Sequence, residues 1–292
     1  MSSERLIRAE LVAVVATVGS QGPAVLASGA PRRLPAGELG ADHDSLQEGV
    51  RAFASEQTGH SLGYVEQLYT FADPGRGDNS GRVISISYLG LTRSDGQSPT
   101  WLGMYDLLPW EDRRTTGTSE KLLAQLQRWS GAAGDEERLH HVFGLGDLPW
   151  RPELALQRYE LMWEAGLVAE SPVGDTPHAE SGVAMLHDHR RIVATGLSRL
   201  RSALQYRPVV FELMPPTFTL GHLQEVVEAI AGQDLHKQNF RRLVEQQHQL
   251  VEPTDELNHG TGGRPARLYR FRREVFAERA QIGTKLPIPR GR

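Results

Sequence analysis

Apolar positions fall into two kinds of run along this chain. In the first hundred residues they form short continuous or alternating blocks. Ala9–Val18 (AELVAVVATV) and Pro23–Ser28 (PAVLAS), joined by the Gly19–Gly22 turn, predict two buried strands. Gly63–Ala72 (GYVEQLYTFA) predicts a long strand, and Val83–Leu91 (VISISYLGL) alternates with the period of two that a sheet requires. One helix interrupts them: Asp44 or Ser45 caps SLQEGVRAFASEQ, and Thr58-Gly59 ends it. Beyond Trp101–Trp110 (WLGMYDLLPW) the spacing turns helical. Glu120–Trp129 repeats Leu122, Leu123, Leu126 and Trp129, and Pro152–Gly166 repeats Leu154, Leu156, Tyr159, Met162 and Trp163. Met185–Tyr206 predicts a long amphipathic helix with Ile192, Leu197, Leu200 and Leu204 on its buried side.

The carboxyl-terminal stretch changes character again. Thr219 is placed to accept a free N–H of a first helical turn, and Leu220, Leu223, Val226, Val227 and Ile230 make one stripe before Gly232 stops the helix. Asp234 is expected to cap a second helix, with Phe240, Leu243 and Val244 turned inward. Lys237, Gln238, Asn239, Arg241 and Arg242 are then left for its outer faces. Leu250-Val251 and Arg267–Phe271 (RLYRF) read as strands flanking a Gly-rich loop, His259 to Gly263, with Arg264 and Arg267 near its tip. Arg and Lys match guanine acceptors or phosphates, and Asn and Gln match adenine edges. Two helices joined by a tight turn, the second basic and amide-rich, followed by a wing, form a DNA-reading arrangement. Thr219, Lys237, Gln238, Asn239, Arg241, Arg242, Arg264 and Arg267 are therefore the candidate DNA-binding residues.

Charge agrees with that division. The stretch 201–292 carries 14 Lys and Arg against 10 Asp and Glu, a net of +4; the rest has 18 against 26, or −8, giving −4 in all. A basic module on an acidic body suits contact with phosphates by the former. At 292 residues the chain has room for two cores. Without cysteine it has neither disulfides nor thiolate metal sites, which fits a cytoplasmic protein. No run of 18 apolar residues occurs, so no membrane partner is expected, and MSSERLIRAELVAVV reads as a first strand instead of a signal peptide.

FELMPPTFTLGHLQEVVEAI, NFRRLV and GRPARLYRF resemble the carboxyl-terminal winged helix of the Nudix-related transcriptional regulators of NAD metabolism, the NrtR and NadQ type; the likeness covers about the last 85 residues. The order strand, strand, helix with TG at its end, strand, DPGR loop, strand over residues 8 to 110 is similar to the Nudix fold. The lines LPAGEL…DSLQEGVRAFASEQTG and FADPGRGDNSGRVISISYLGL are similar to the same regions of NAD-linked Nudix proteins. The resemblance implies an α+β architecture. A Nudix-like sensing domain with mixed sheet and helices takes residues 1–206, with a helical insert at about 112–184. A winged helix-turn-helix takes 207–276, after a hinge at Tyr206-Arg207-Pro208, and 277–292 is a flexible tail. The insert is longer than the plain NrtR pattern and resembles the NadQ-type branch.

One departure from the Nudix pattern carries chemistry. The hydrolytic box needs three carboxylates on one helix face, which hold divalent metal over a diphosphate and activate water. With Gly59 at the box glycine, Ala52 stands at the Arg position, Phe53 at the first Glu, and Glu56 and Gln57 at the following pair. One carboxylate of three survives, so no metal site and no catalytic residue are expected, and the chain is not expected to be an enzyme. Active hydrolysis of ADP-ribose or NAD-like diphosphates is the alternative. The resemblance implies instead that the domain senses an effector nucleotide of NAD metabolism (ADP-ribose, NAD or ATP), with no cofactor required. Arg76 and Arg82 are candidates for its phosphates, Tyr88 for stacking on its base, and Glu56 for the same site. It further implies a repressor of NAD biosynthesis genes, acting as a homodimer on a palindromic double-stranded operator.

Two weaker patterns are set aside. His187 and His189 lie at i, i+2 and would point to different faces of a helix, so Asp188 reads as an N-cap. Gly144-Leu145-Gly146 lacks the third glycine of a dinucleotide fingerprint.

Overall fold

The computed structural model describes residues 6–19, 21–40, 43–72, 81–93, 100–114, 117–174, 177–206, 209–247, 250–258 and 265–272. Its frame is one long strand, β1 (Leu6–Gly19), which is flanked on both sides. On one side β5 (Gly81–Leu91) runs parallel to it, and β4 (Tyr64–Phe71) pairs antiparallel with β5. On the other, β3 (Ala36–Glu38) takes the first half of β1 and β2 (Gly22–Leu26) the second, both antiparallel; β6 (Trp101–Gly103) then closes the edge against β2.

The continuous apolar run of β1 follows from burial on both faces. Leu11, Ala13 and Val15 point into a core beneath α1 (Leu46–Thr58) with Val50, Phe53, Ala54 and Tyr88. Val12, Val14 and Ala16 point the other way, into a larger core that includes Ile192, Val193 and Leu197 of α6 (His189–Tyr206). Alternation of side chains along a strand produces this two-sided packing. Helix α1 is bounded by local chemistry. Ser45 Oγ accepts the Glu48 N–H at 3.1 Å, and Gly59 closes the carboxyl end at φ 70°.

After β6 the chain makes a short helix, α2 (Met104–Leu107), and a 3-10 turn, Pro109–Glu111. The insert follows as α3 (Glu120–Ala133), α4 (Glu136–Phe143) and α5 (Ala155–Glu164); α5 packs on α6, and α4 lies against α3 and α5. Helix α4 has no counterpart in the sequence reading: at eight residues it is too short for an apolar period to stand out. Gly144, the first glycine of the GxG, is its C-cap at φ 60°. Helix α6 starts at His189, later than the expected Met185. Met185 is drawn into a bridge with Arg32, the Leu186 N–H donates to Arg32 O at 2.8 Å, and His187 turns the chain at φ 49°. His189 instead serves the core, its Nδ1 accepting the Leu34 N–H at 2.8 Å.

The carboxyl-terminal part begins with a 3-10 turn, Val209–Glu212, followed by α7 (Leu220–Ala231) and α8 (Lys237–Arg242), which runs into a π-helical turn, Leu243–Gln247. A hairpin of β7 (Val251–Asn258) and β8 (Ala266–Phe271) ends it. Phe218 pairs with Tyr269 through an isolated antiparallel bridge, and the rings of Phe211 and Phe218 pack on Phe271 at 3.6 and 4.5 Å between centroids. The hinge residues Arg207 and Pro208, the loop 259–264 and the tail 277–292 lie outside the described residues.

Candidate nucleic-acid interface and nucleotide-sensing domain

Helix α7 is built as its sequence predicts. Thr219 Oγ1 accepts the His222 N–H at 3.1 Å, the stripe from Leu220 to Ile230 is buried, and Gly232 caps the helix at φ 70°. Thr219 is thus engaged as a cap. The start of α8 differs from expectation. Asp234 is exposed and His236 is the N-cap, with no side-chain cap bond. The turn is held from α7 instead: Glu228 Oε1 accepts the Leu235 N–H at 2.8 Å, and Gln224 Nε2 donates to Glu228 Oε1 and to Leu235 O. Burial of Leu235 explains why the turn folds toward α7 and leaves Asp234 outside.

Phe240 and Val244 anchor α8 in the core, whereas Leu243 is only half-buried. Lys237, Gln238, Asn239, Arg241 and Arg242 are all exposed on one short helix, which gathers two amides and three cations onto one surface. Arg242 Nη2 donates to Asn239 Oδ1 at 2.9 Å. Arg267 is exposed on β8, and Arg264 lies outside the described residues. One wing contact escaped the sequence reading. Tyr269 donates its hydroxyl to Glu245 Oε1 at 2.9 Å and so ties the hairpin to the π-helical turn that follows α8. Burial, reinforced by that carboxylate, raises the Tyr269 hydroxyl above its ordinary value. An aromatic in RLYRF reads as core from sequence alone, and only the fold shows its hydroxyl reaching the turn after α8.

Of the four candidate ligand residues, the three that are described, Glu56, Arg82 and Tyr88, are not brought together. Tyr88 is 2% exposed, inside the core under α1, so it offers no face to a base; the alternation of VISISYLGL turns it inward. Arg82 is exposed and donates twice to Ala72 O, at 3.1 and 2.8 Å. Glu56 is exposed on α1, and Arg76 lies outside the described residues. The two box positions that lost carboxylates have taken other work. Phe53 is buried against Gly37, where any Cβ would come within 3.3 Å of its ring. The Gln57 amide pairs with the Ala36 backbone, donating to its carbonyl at 2.9 Å and accepting its N–H at 3.3 Å. Arg51, beside the box Arg position, donates to the carbonyls of Leu62 and Gly63. Near the carboxyl end of α1 lies a shallow cleft, lined by Leu26, Ala27, Ser28, Gln57, Thr58 and Thr100.

Residues 210–271 match the family model of the NrtR DNA-binding winged helix domain. The carboxyl-terminal module is an NrtR-type winged helix. Over 84 residues the chain is 40% identical to the ADPR responsive transcriptional repressor NtrR of Acinetobacter baylyi. That stretch is 29% of this chain and 33% of the relative, so the chain spans about a third of the length of the curated protein that it matches. The fold of nearly the whole chain is shared with solved structures. NrtR of Shewanella oneidensis, solved in complex with a 27mer DNA, superposes with a TM-score of 0.55 at 20% identity, over 94% of this chain and 99% of that one. A MutT/nudix family protein from Enterococcus faecalis does so with a TM-score of 0.53 at 17% identity, over 92% and 90%. No described helix is long and apolar enough to cross a membrane.

Proposed function

We propose that this chain is a cytoplasmic DNA-binding repressor of NAD biosynthesis genes whose Nudix-like part, residues 1–206, senses an adenine nucleotide. The observation that carries this reading is the surface of α8. Five groove-matching side chains stand exposed on a helix anchored by Phe240 and Val244, within a module of the NrtR type. ADP-ribose is the first effector to test, because the Acinetobacter relative is described as ADPR responsive. NAD and ATP share its adenosine diphosphate part. The effector acts by binding one state of the protein more tightly than the other. A homodimer on a palindromic operator is the arrangement in which paired recognition helices read two half-sites.

Hydrolysis is disfavoured by what replaced the box carboxylates. A buried Phe53 cannot hold a metal, and the Gln57 amide is committed to the Ala36 backbone. Turnover of ADP-ribose with Mg²⁺ that vanishes in Glu56→Gln would establish the enzyme reading in its place.

The deciding experiment is a mobility shift on DNA upstream of the host's NAD biosynthesis genes, at fixed salt, with and without ADP-ribose, NAD and ATP. A specific shift altered by one nucleotide supports the proposal and names the effector. No shift at any salt low enough to favour phosphate contacts refutes it.

A further inference from the structure

The carboxyl end of α7 closes on two side chains and a backbone N–H from other parts of the chain. The Tyr105 hydroxyl, from α2, donates to Ala229 O, with Ile230 O also in reach at 3.3 Å. Arg201 of α6 donates Nε to Ile230 O at 2.9 Å, and the Arg113 N–H donates to Gly232 O at 2.7 Å. These are carbonyls that a helix end leaves without intrahelical partners, and a guanidinium suits the negative pole of the helix.

Arg201 is itself held. Its Nη1 pairs with Glu111 Oε2, and its Nη2 donates to Glu111 O at 3.0 Å. The same carboxylate takes both arms of Arg158, at 2.6 and 2.9 Å. Glu111, Arg158 and Arg201 are wholly buried. Arg158 belongs to α5 of the insert. It also donates to the carbonyls of Val142 at 2.8 Å, Arg151 at 3.1 Å and Pro152 at 3.2 Å, and lies 3.7 Å over the Trp150 ring. One carboxylate between two guanidiniums leaves one positive charge over, and the carbonyl end of α7 is set against it. Buried charges have no inexpensive alternative partners, so the arrangement is stiff. It also adjoins the sensing sheet. Tyr105 follows β6, whose Trp101 pairs with Leu26 beside the cleft and meets His60 edge-on at 5.5 Å.

We infer that Tyr105, Glu111, Arg158 and Arg201 are positioning residues that fix the winged helix on the amino-terminal domain, and that the helical insert serves DNA binding through Arg158. The inference rests on the proposed function only for what the positioned module does. It is tested in the full chain with Tyr105→Phe, which removes one oxygen, and Arg158→Met. Hydrogen exchange is followed at residues 220–236, with α1 and β5 as internal controls. Affinity is measured for a duplex that the unsubstituted chain selects from a random 30-base-pair library. Both variants are expected to speed exchange selectively at the end of α7 and to weaken the selected duplex by about fivefold or more. A merely structural role would raise exchange in α1 and β5 as well, without a selective DNA loss. Unchanged exchange at 220–236 overturns the inference, and so does local loosening with affinity held within about twofold. If the unsubstituted chain selects no duplex, the regulator reading fails, and the exchange measurement alone decides the clamp. If Arg158→Met loses protection everywhere, Tyr105→Phe decides.

Discussion

Gly232 separates two effects that usually arrive together. It ends α7 in the left-handed region, at φ 70°, and a Cβ there would lie 2.2 Å from Glu111 O, 2.7 Å from Arg201 Nη2 and 3.0 Å from Tyr105 Oη. Gly59 ends α1 at the same φ, with nothing within 4 Å of the corresponding position. Gly59→Ala therefore meets only the left-handed cost, about 1 kcal/mol. Gly232→Ala adds overpacking, about 1–3 kcal/mol, for a total of about 2–4 kcal/mol. The nearest atom is a backbone carbonyl, so the strain is relieved only by moving α7 off Glu111 and Arg201. The assay is urea unfolding of both variants followed by far-UV circular dichroism and tryptophan emission, since Trp110 and Trp150 are buried beside the cluster. A Gly232→Ala variant within about 0.5 kcal/mol of Gly59→Ala would refute the close seating of α7.

The Glu111 cluster and the exposed face of α8 set further outcomes. Burial alone would raise the Glu111 carboxyl, but the charges and hydrogen bonds of Arg158 and Arg201 outweigh it and hold it below the usual carboxylate range. Its stabilisation is then complete above the unfolded value and fades as pH falls through the lower folded one. The melting gap between the parent chain and Glu111→Gln, about 3–5 kcal/mol at pH 7, should narrow below about pH 4; a gap constant across acid melts would contradict this. Phe240→Ala empties the anchor of α8 and should cost about 3–5 kcal/mol in denaturant unfolding, whereas Gln238→Ala on the exposed face should change stability by about 0.5 kcal/mol or less. Arg241→Ala should weaken operator binding, and Arg267→Ala should lower the salt dependence of binding by about one phosphate contact; salt slopes unchanged in Arg267→Ala would remove the wing from the interface.

Local rules made the secondary elements and the exposed face of α8 legible in the sequence. Ser45, Gly59, Thr219 and Gly232 bound their helices as caps do in any context, because a cap is satisfied by its own next turn. The stripe from Leu220 to Ile230 and the run of β1 marked buried faces, and exclusion of the polar residues from that core left Lys237, Gln238, Asn239, Arg241 and Arg242 outside. The missing box carboxylates could be counted from Gly59. What replaced them could not, since Phe53 against Gly37 and Gln57 against Ala36 join segments far apart in the chain. For the same reason Tyr88 read as a stacking candidate until the sheet turned it into the core, and Asp234 as a cap until Leu235 was drawn under α7. The Glu111 cluster lay wholly beyond the sequence. Its members come from α2, a 3-10 turn, α5 and α6, and an isolated Glu or Arg in such a stretch reads as a solvated surface charge. Only close packing, which withdraws water from all three charges at once, turns them into a structural joint.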